Sequence, residues 1–156
     1  MEMKYGKGRI EFKKVLSDLD KLVLKFVGIL DNGRIRHVII SGYVPILFGR
    51  SRATEDVDLF VEKLDEKKFL RLWESITGAG FYCLNEMDSG EAYKTLCSKL
   101  ALRFAEEGKV IPNFELKFSS KHLDDVALQK PLLVVLNGRT LKVSPIELEI
   151  PYKMYL

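Results

Sequence analysis

The residues of this chain best suited to chemistry lie in Thr54-Glu55-Asp56-Val57-Asp58-Leu59-Phe60-Val61. The segment alternates polar and apolar. As a strand it would place Asp56, Asp58 and Phe60 on one face and Val57, Leu59 and Val61 on the other. Side chains two apart on a strand sit only ~6–7 Å apart at their Cα atoms. Two carboxylates that close repel, and one tends to take up a proton. A hard cation such as Mg²⁺ resolves the conflict, because it prefers oxygen ligands and keeps waters beside one or two carboxylates. The plainer explanation is two solvated aspartates on the exposed face of an edge strand.

The flanking residues add to the chemical reading. Upstream, Ile39-Ile40-Ser41-Gly42-Tyr43-Val44 is an apolar strand running into a glycine turn and a helix start. Such a turn lets backbone N–H groups approach an oxyanion, although Ser-Gly after a strand is also an ordinary turn. Between turn and aspartates, Gly49-Arg50-Ser51-Arg52-Ala53-Thr54 supplies two guanidinium groups, whose planar donor forks suit phosphate. Downstream, Phe114-Glu115-Leu116-Lys117-Phe118 alternates cleanly, with Glu115 and Lys117 on one face. A surface pairing between those two is worth little.

Together, Ile40-Ser41-Gly42-Tyr43 and Gly49-x-x-Arg52-x-Thr54-x-Asp56-Val57-Asp58-Leu59 resemble the nucleotidyltransferase superfamily of DNA polymerase β and the kanamycin nucleotidyltransferases. The small prokaryotic members, toxin–antitoxin types among them, look most similar. The resemblance covers about residues 36–62, with weaker similarity in the strand at 113–118 and in the tail from Ser144. It implies an α/β (α+β) fold, a mixed β-sheet with flanking helices. It also implies Mg²⁺ (or Mn²⁺) as cofactor and a nucleoside triphosphate, ATP being the commonest donor, as substrate. By resemblance Asp56 and Asp58 are catalytic metal ligands, and Glu115 is the third carboxylate, serving as base or metal support. Ser41 and Gly42 would hold phosphate oxygens, helped by Arg52. Ser41 stands where the family pattern has glycine. The implied reaction moves a nucleoside monophosphate to an acceptor hydroxyl, on a protein, an RNA or a small molecule. A second reading, a non-catalytic nucleotidyltransferase-like module that binds a partner protein, stays open beside it.

These residues need a scaffold. Apolar residues at spacings of three and four from Phe12 to Leu30 predict an amphipathic helix ended by Asp31-Asn32-Gly33. A buried strand is expected at His37–Ser41, a short helix at Val44–Phe48, the aspartate strand at Asp56–Val61 and a helix at Asp65–Thr77. Beyond these come an extended piece at Phe81–Leu84 and a short helix begun by Asp88-Ser89. Leu100–Ala105 fits helix or strand, and strand is preferred because it would form an antiparallel hairpin with Phe114–Phe118. A helix near Lys121–Leu128 precedes a hairpin of Leu132–Leu136 and Arg139–Val143, turned at Asn137-Gly138. A last helix is expected from Pro145, announced by Ser144.

Composition sets the outer bounds. A length of 156 residues fits one domain over 1–156, and 47% apolar residues suffice for a core. A net charge of +3, spread along the chain, tolerates a phosphate-bearing ligand but lacks the concentrated basic face of a dedicated nucleic-acid binder. Cys83 and Cys97, without C-x-x-C or clustered histidines, are expected to be reduced, small core residues. His37 and His122 are assigned to structure, Trp73 and Phe69 to core or interface, and Lys13-Lys14 and Lys67-Lys68 to solvated helix faces. Tyr43 is left between base contact and packing. No signal-peptide pattern or bilayer-length apolar run occurs, so the expected compartment is the cytoplasm, with no membrane partner.

Overall fold

Strand β4 (Asp56–Val61) alternates half-buried and buried residues along its whole length, and the sheet is built around it. The computed structural model describes residues 3–40, 42–48, 56–120 and 122–145. Among these, nine strands form one mixed sheet, in the order β1-β2-β8-β9-β3-β4-β7-β6-β5. The strands are β1 (Met3–Gly6), β2 (Arg9–Phe12), β3 (His37–Ile40), β5 (Phe81–Cys83), β6 (Leu102–Glu106), β7 (Asn113–Phe118), β8 (Leu132–Leu136) and β9 (Arg139–Val143), besides β4. β4 is antiparallel to β3 and parallel to β7, and β7 is antiparallel to β6. The α/β class with a mixed sheet is as expected. The aspartates, however, stand on an interior strand, not an edge.

Five helices accompany the sheet among the described residues: α1 (Asp18–Asn32), α2 (Tyr43–Leu47), α3 (Glu66–Gly78), α4 (Ser89–Cys97) and α5 (His122–Gln129). Most of the apolar area is buried on one side of the sheet. There Val57, Leu59 and Val61 of β4 and Phe114, Leu116 and Phe118 of β7 meet Phe26 of α1, Phe69 of α3 and Leu96 of α4. Phe26 stacks flat on Phe114 at 4.1 Å and meets Phe81 edge-on at 5.3 Å. The opposite side carries a smaller cluster, in which Val38, Ile40 and Phe60 pack under Ala127 and Leu128 of α5. α5 therefore covers the Phe60 end of that face, and Asp56 and Asp58 lie beyond it.

The first helix departs from expectation. Phe12, the first residue of the periodic run, belongs to β2, and α1 begins only at Asp18. Ser17 caps it: its hydroxyl accepts from the Asp20 amide at 3.1 Å, while the Asp20 carboxylate accepts from the Ser17 amide at 2.9 Å. This reciprocal box fixes the start against the apolar period upstream. The same carboxylate is buried and takes Lys14 as ion partner at 3.0 Å, so Lys14 does not lie on a solvated helix face.

The turn at Asn137-Gly138 joins β8 to β9, both residues with positive φ, as a tight hairpin requires. α3 is capped by Asp65 and α4 by Asp88, each accepting a backbone N–H at 2.8 Å. His37 is buried, with Nδ1 3.0 Å from the Ile35 carbonyl, and burial holds its pKa below the usual histidine value. Cys83 is half-buried against the core, but Cys97 is exposed, contrary to expectation, and both are free thiols. The helix expected from Pro145 lies outside the described residues beyond that first position. Among the described residues, no helix is long and apolar enough to cross a membrane.

Candidate active site

Strand pairing brings the carboxylates together. β4 and β7 run parallel with Asp56 opposite Asn113 and Asp58 opposite Glu115. Residues in register on neighbouring strands share a face, and strands lie about 4.8 Å apart, so Asp58 and Glu115 stand side by side. On the far side of β7, Arg103 of β6 pairs in register with Glu115, its Nη2 3.6 Å from Glu115 Oε2. On the other flank, Ile40 of β3 is opposite Asp58. Gly42 follows two residues later as the N-cap of α2, at the end of the sheet where β4 begins. One row across the sheet thus reads Ile40, Asp58, Glu115, Arg103.

The electrostatics of this row are strained around Asp58. Its pKa is pushed up to about 7, first by burial, then by the charge of Glu115 and a hydrogen bond to it, and further by Asp56; Lys117 opposes the rise. A hydrogen bond between two carboxyl groups needs a proton between them, and the raised pKa of Asp58 lets it supply that proton toward neutrality. Asp58 Oδ1 is buried and accepts nothing from the described residues; the same holds for Asn113 Oδ1, two residues before Glu115 on the adjacent strand. Two buried acceptor oxygens without donors, beside an acidic pair forced to share a proton, form a donor set suited to a hard cation. Asp56, Asp58, Glu115 and Asn113 are the residues that could hold it. Among the described residues, no three His, Cys, Asp or Glu side chains already converge as a cluster of metal ligands.

Of the residues singled out from sequence, Asp56, Asp58 and Glu115 share one face of the sheet, and Gly42 lies at the same end of it. Ser41 and Arg52, with the whole segment 49–55, lie outside the described residues. The ion partner of Glu115 is Arg103 across the strands, not Lys117 on its own face of β7, because cross-strand register outweighs same-strand proximity. Tyr43 is fully buried and donates its hydroxyl to Asp20 Oδ1 at 2.7 Å. It packs; it does not face a ligand.

Sequence reasoning missed Asn113 and Arg103. The alternation of 113, 115 and 117 was a usable signal for Asn113. Arg103 had none, since the connection between β6 and β7 is too long to set register by turn type. Compared with known proteins, the chain matches no family model and no curated protein.

Proposed function

We propose that this protein is a metal-dependent nucleotidyltransferase that moves a nucleoside monophosphate, from ATP as the most common donor, to an acceptor hydroxyl. The observation that carries the reading is the Asp58–Glu115 pair: two carboxyl groups in register on neighbouring parallel strands, on one sheet face beside a glycine turn. The motif around residues 40–59, similar to that of the nucleotidyltransferases, agrees with this arrangement.

Asp56, Asp58 and Glu115 would hold Mg²⁺, which when bound supplies positive charge against the triphosphate. The chain's own residues would divide the remaining work. The turn at Gly42 would receive phosphate oxygens on the β3 side of Asp58. The acceptor hydroxyl would lie against Glu115, which takes its proton directly or through a water. The acceptor oxygen then bonds to the α-phosphorus, the bond to the bridging oxygen breaks, and pyrophosphate leaves with the electron pair. Positioning and charge stabilisation would account for most of the acceleration.

The test uses the full chain with Mg²⁺ and each of the four labelled ribonucleoside triphosphates, in the presence of cell extract as acceptor source. Transfer of label by the wild type and its loss in Asp58→Asn, with an unchanged circular dichroism spectrum, is the expected result. Transfer unaffected by Asp58→Asn would remove the reading, and a wild type that neither binds nor transfers any nucleotide would favour a partner-binding module.

A further inference from the structure

We infer that the acceptor is an alcohol carrying its own oxyanion, a phosphate or a carboxylate, and that Arg103 is the residue that selects it. The inference rests on the nucleotidyltransferase reading and deepens it. In an in-line displacement the attacking oxygen stands opposite the leaving group. The glycine turn is on the β3 side of Asp58, so pyrophosphate departs toward that side. The acceptor must then approach from the opposite flank, across β7 and β6, where the side chains in the row are Glu115 and then Arg103.

Arg103 is suited to more than its neighbour. Its side chain is 52% exposed, on the same face as the carboxylates, and its approach to Glu115 is a single contact at 3.6 Å. That distance exceeds a hydrogen bond, so the planar fork of five donors is not spent on Glu115. A hydroxyl hydrogen-bonded to Glu115 and an oxyanion hydrogen-bonded to Arg103 would lie roughly 4–9 Å apart, given bonds of about 2.8 Å at each end. A small phosphorylated or carboxylated alcohol spans that interval, as does the sugar of a nucleotide. An ordinary cross-strand ion pair, exposed as this one is, would contribute little to stability and nothing to ligand choice.

The experiment follows amide and Arg Nε–H signals of the full chain by NMR, with Mg²⁺ and saturating α,β-methylene ATP, while glycerol 3-phosphate, glycerate or glycerol is added. Expected is at least ten-fold tighter binding of one or both anions than of glycerol, with the Arg103 Nε–H signal shifting. Arg103→Gln should erase that preference without altering the affinity for the ATP analogue or the thermal midpoint. Which anion binds more tightly distinguishes a phosphate from a carboxylate acceptor. Equal affinity for glycerol and the anions, or an anion preference that survives Arg103→Gln, would overturn the role of Arg103 and leave the donor site intact. Failure of the ATP analogue to bind would overturn both readings together.

Discussion

Asp58 and Glu115 are register partners on parallel strands β4 and β7, which sets their carboxyl groups side by side on one face. Strand geometry enforces the proximity, and only a proton or a cation between the groups relieves it. The consequence for stability follows from the sign of the shift. Asp58 has a folded pKa of about 7 against an ordinary 3.8, so the fold prefers its protonated form. Relative to the unfolded chain, stability is undiminished below about pH 4 and is lost as pH rises through 7. Asp58→Asn removes the ionisation. At pH 8, without metal, that variant should be more stable than the wild type by on the order of 2 kcal/mol, allowing for solvent screening of a half-buried pair. The difference should vanish by pH 4. Denaturant titrations at pH 4, 6 and 8 measure it, and parallel profiles for the two proteins would contradict the assignment.

Mg²⁺ should reverse the loss at pH 8. A ligand that binds only the folded state raises apparent stability by mass action. In a domain of this size each kcal/mol raises the midpoint by roughly 2–4 °C. Millimolar Mg²⁺ is therefore expected to raise the thermal midpoint of the wild type at pH 8 by a few degrees, and to leave that of Asp58→Asn in place. Asn113→Ala should show an intermediate response, since it removes one buried acceptor oxygen and keeps the carboxylates. An equal rise in all three proteins would mean that the cation binds elsewhere.

How much of this was legible beforehand depends on the range over which each feature is determined. β4, β8 and β9 were readable to the residue because alternation and an Asn-Gly turn are local signals. The start of α1 was not. Phe12 continues the helical period by coincidence, while its true partner, Leu136 of β8, lies far along the chain. β1 and β2 were missed for the same reason: four-residue strands carry little periodicity, and their pairing is set by tertiary contacts. At the site, Asp56 and Asp58 announce themselves by spacing. The adjacency of Glu115 is a matter of parallel register, which a single sequence leaves open, and Arg103 enters only through the register of a second pairing.

The floor beneath the site is aromatic. Phe114, adjacent in sequence to Glu115 but on the opposite face, stacks on Phe26 at 4.1 Å with the rings nearly parallel. Both rings are completely buried. Phe26→Ala should destabilise the chain by about 3–5 kcal/mol, through lost transfer energy and a cavity that rigid strands cannot close. Phe26→Leu, nearer in volume, is expected to cost less than half as much. Urea unfolding of both variants checks this. A loss below 1 kcal/mol for the alanine variant would mean that α1 settles into the gap.

A second buried carboxylate behaves in the opposite sense to Asp58, and the contrast is itself testable. Asp20 is buried as well, and burial alone would raise its pKa. The Ser17 amide, the Tyr43 hydroxyl and the Lys14 ammonium outweigh burial, and hold it below the ordinary carboxylate range. A depressed folded pKa contributes stability that is present above the unfolded value and lost as pH falls through the folded one. Tyr43→Phe deletes one of the three donors without opening a cavity and leaves Lys14 at 3.0 Å. Its cost should be about 1.5–3 kcal/mol at pH 7, as for a hydrogen bond to a charged group, and should shrink as Asp20 protonates in acid. Asp20→Ala should cost more, because it removes the reciprocal half of the capping box, leaves Lys14 without its ion partner and leaves the Tyr43 hydroxyl buried without an acceptor. Since Tyr43 follows Gly42 directly, loosening it should also weaken ATP-analogue binding in Tyr43→Phe by a few-fold, while Mg²⁺ binding at Asp58 changes little. Denaturation at pH 3 and pH 7, with a nucleotide titration of the same variant, measures both effects. A Tyr43→Phe penalty independent of pH would show that the hydroxyl acts on packing alone.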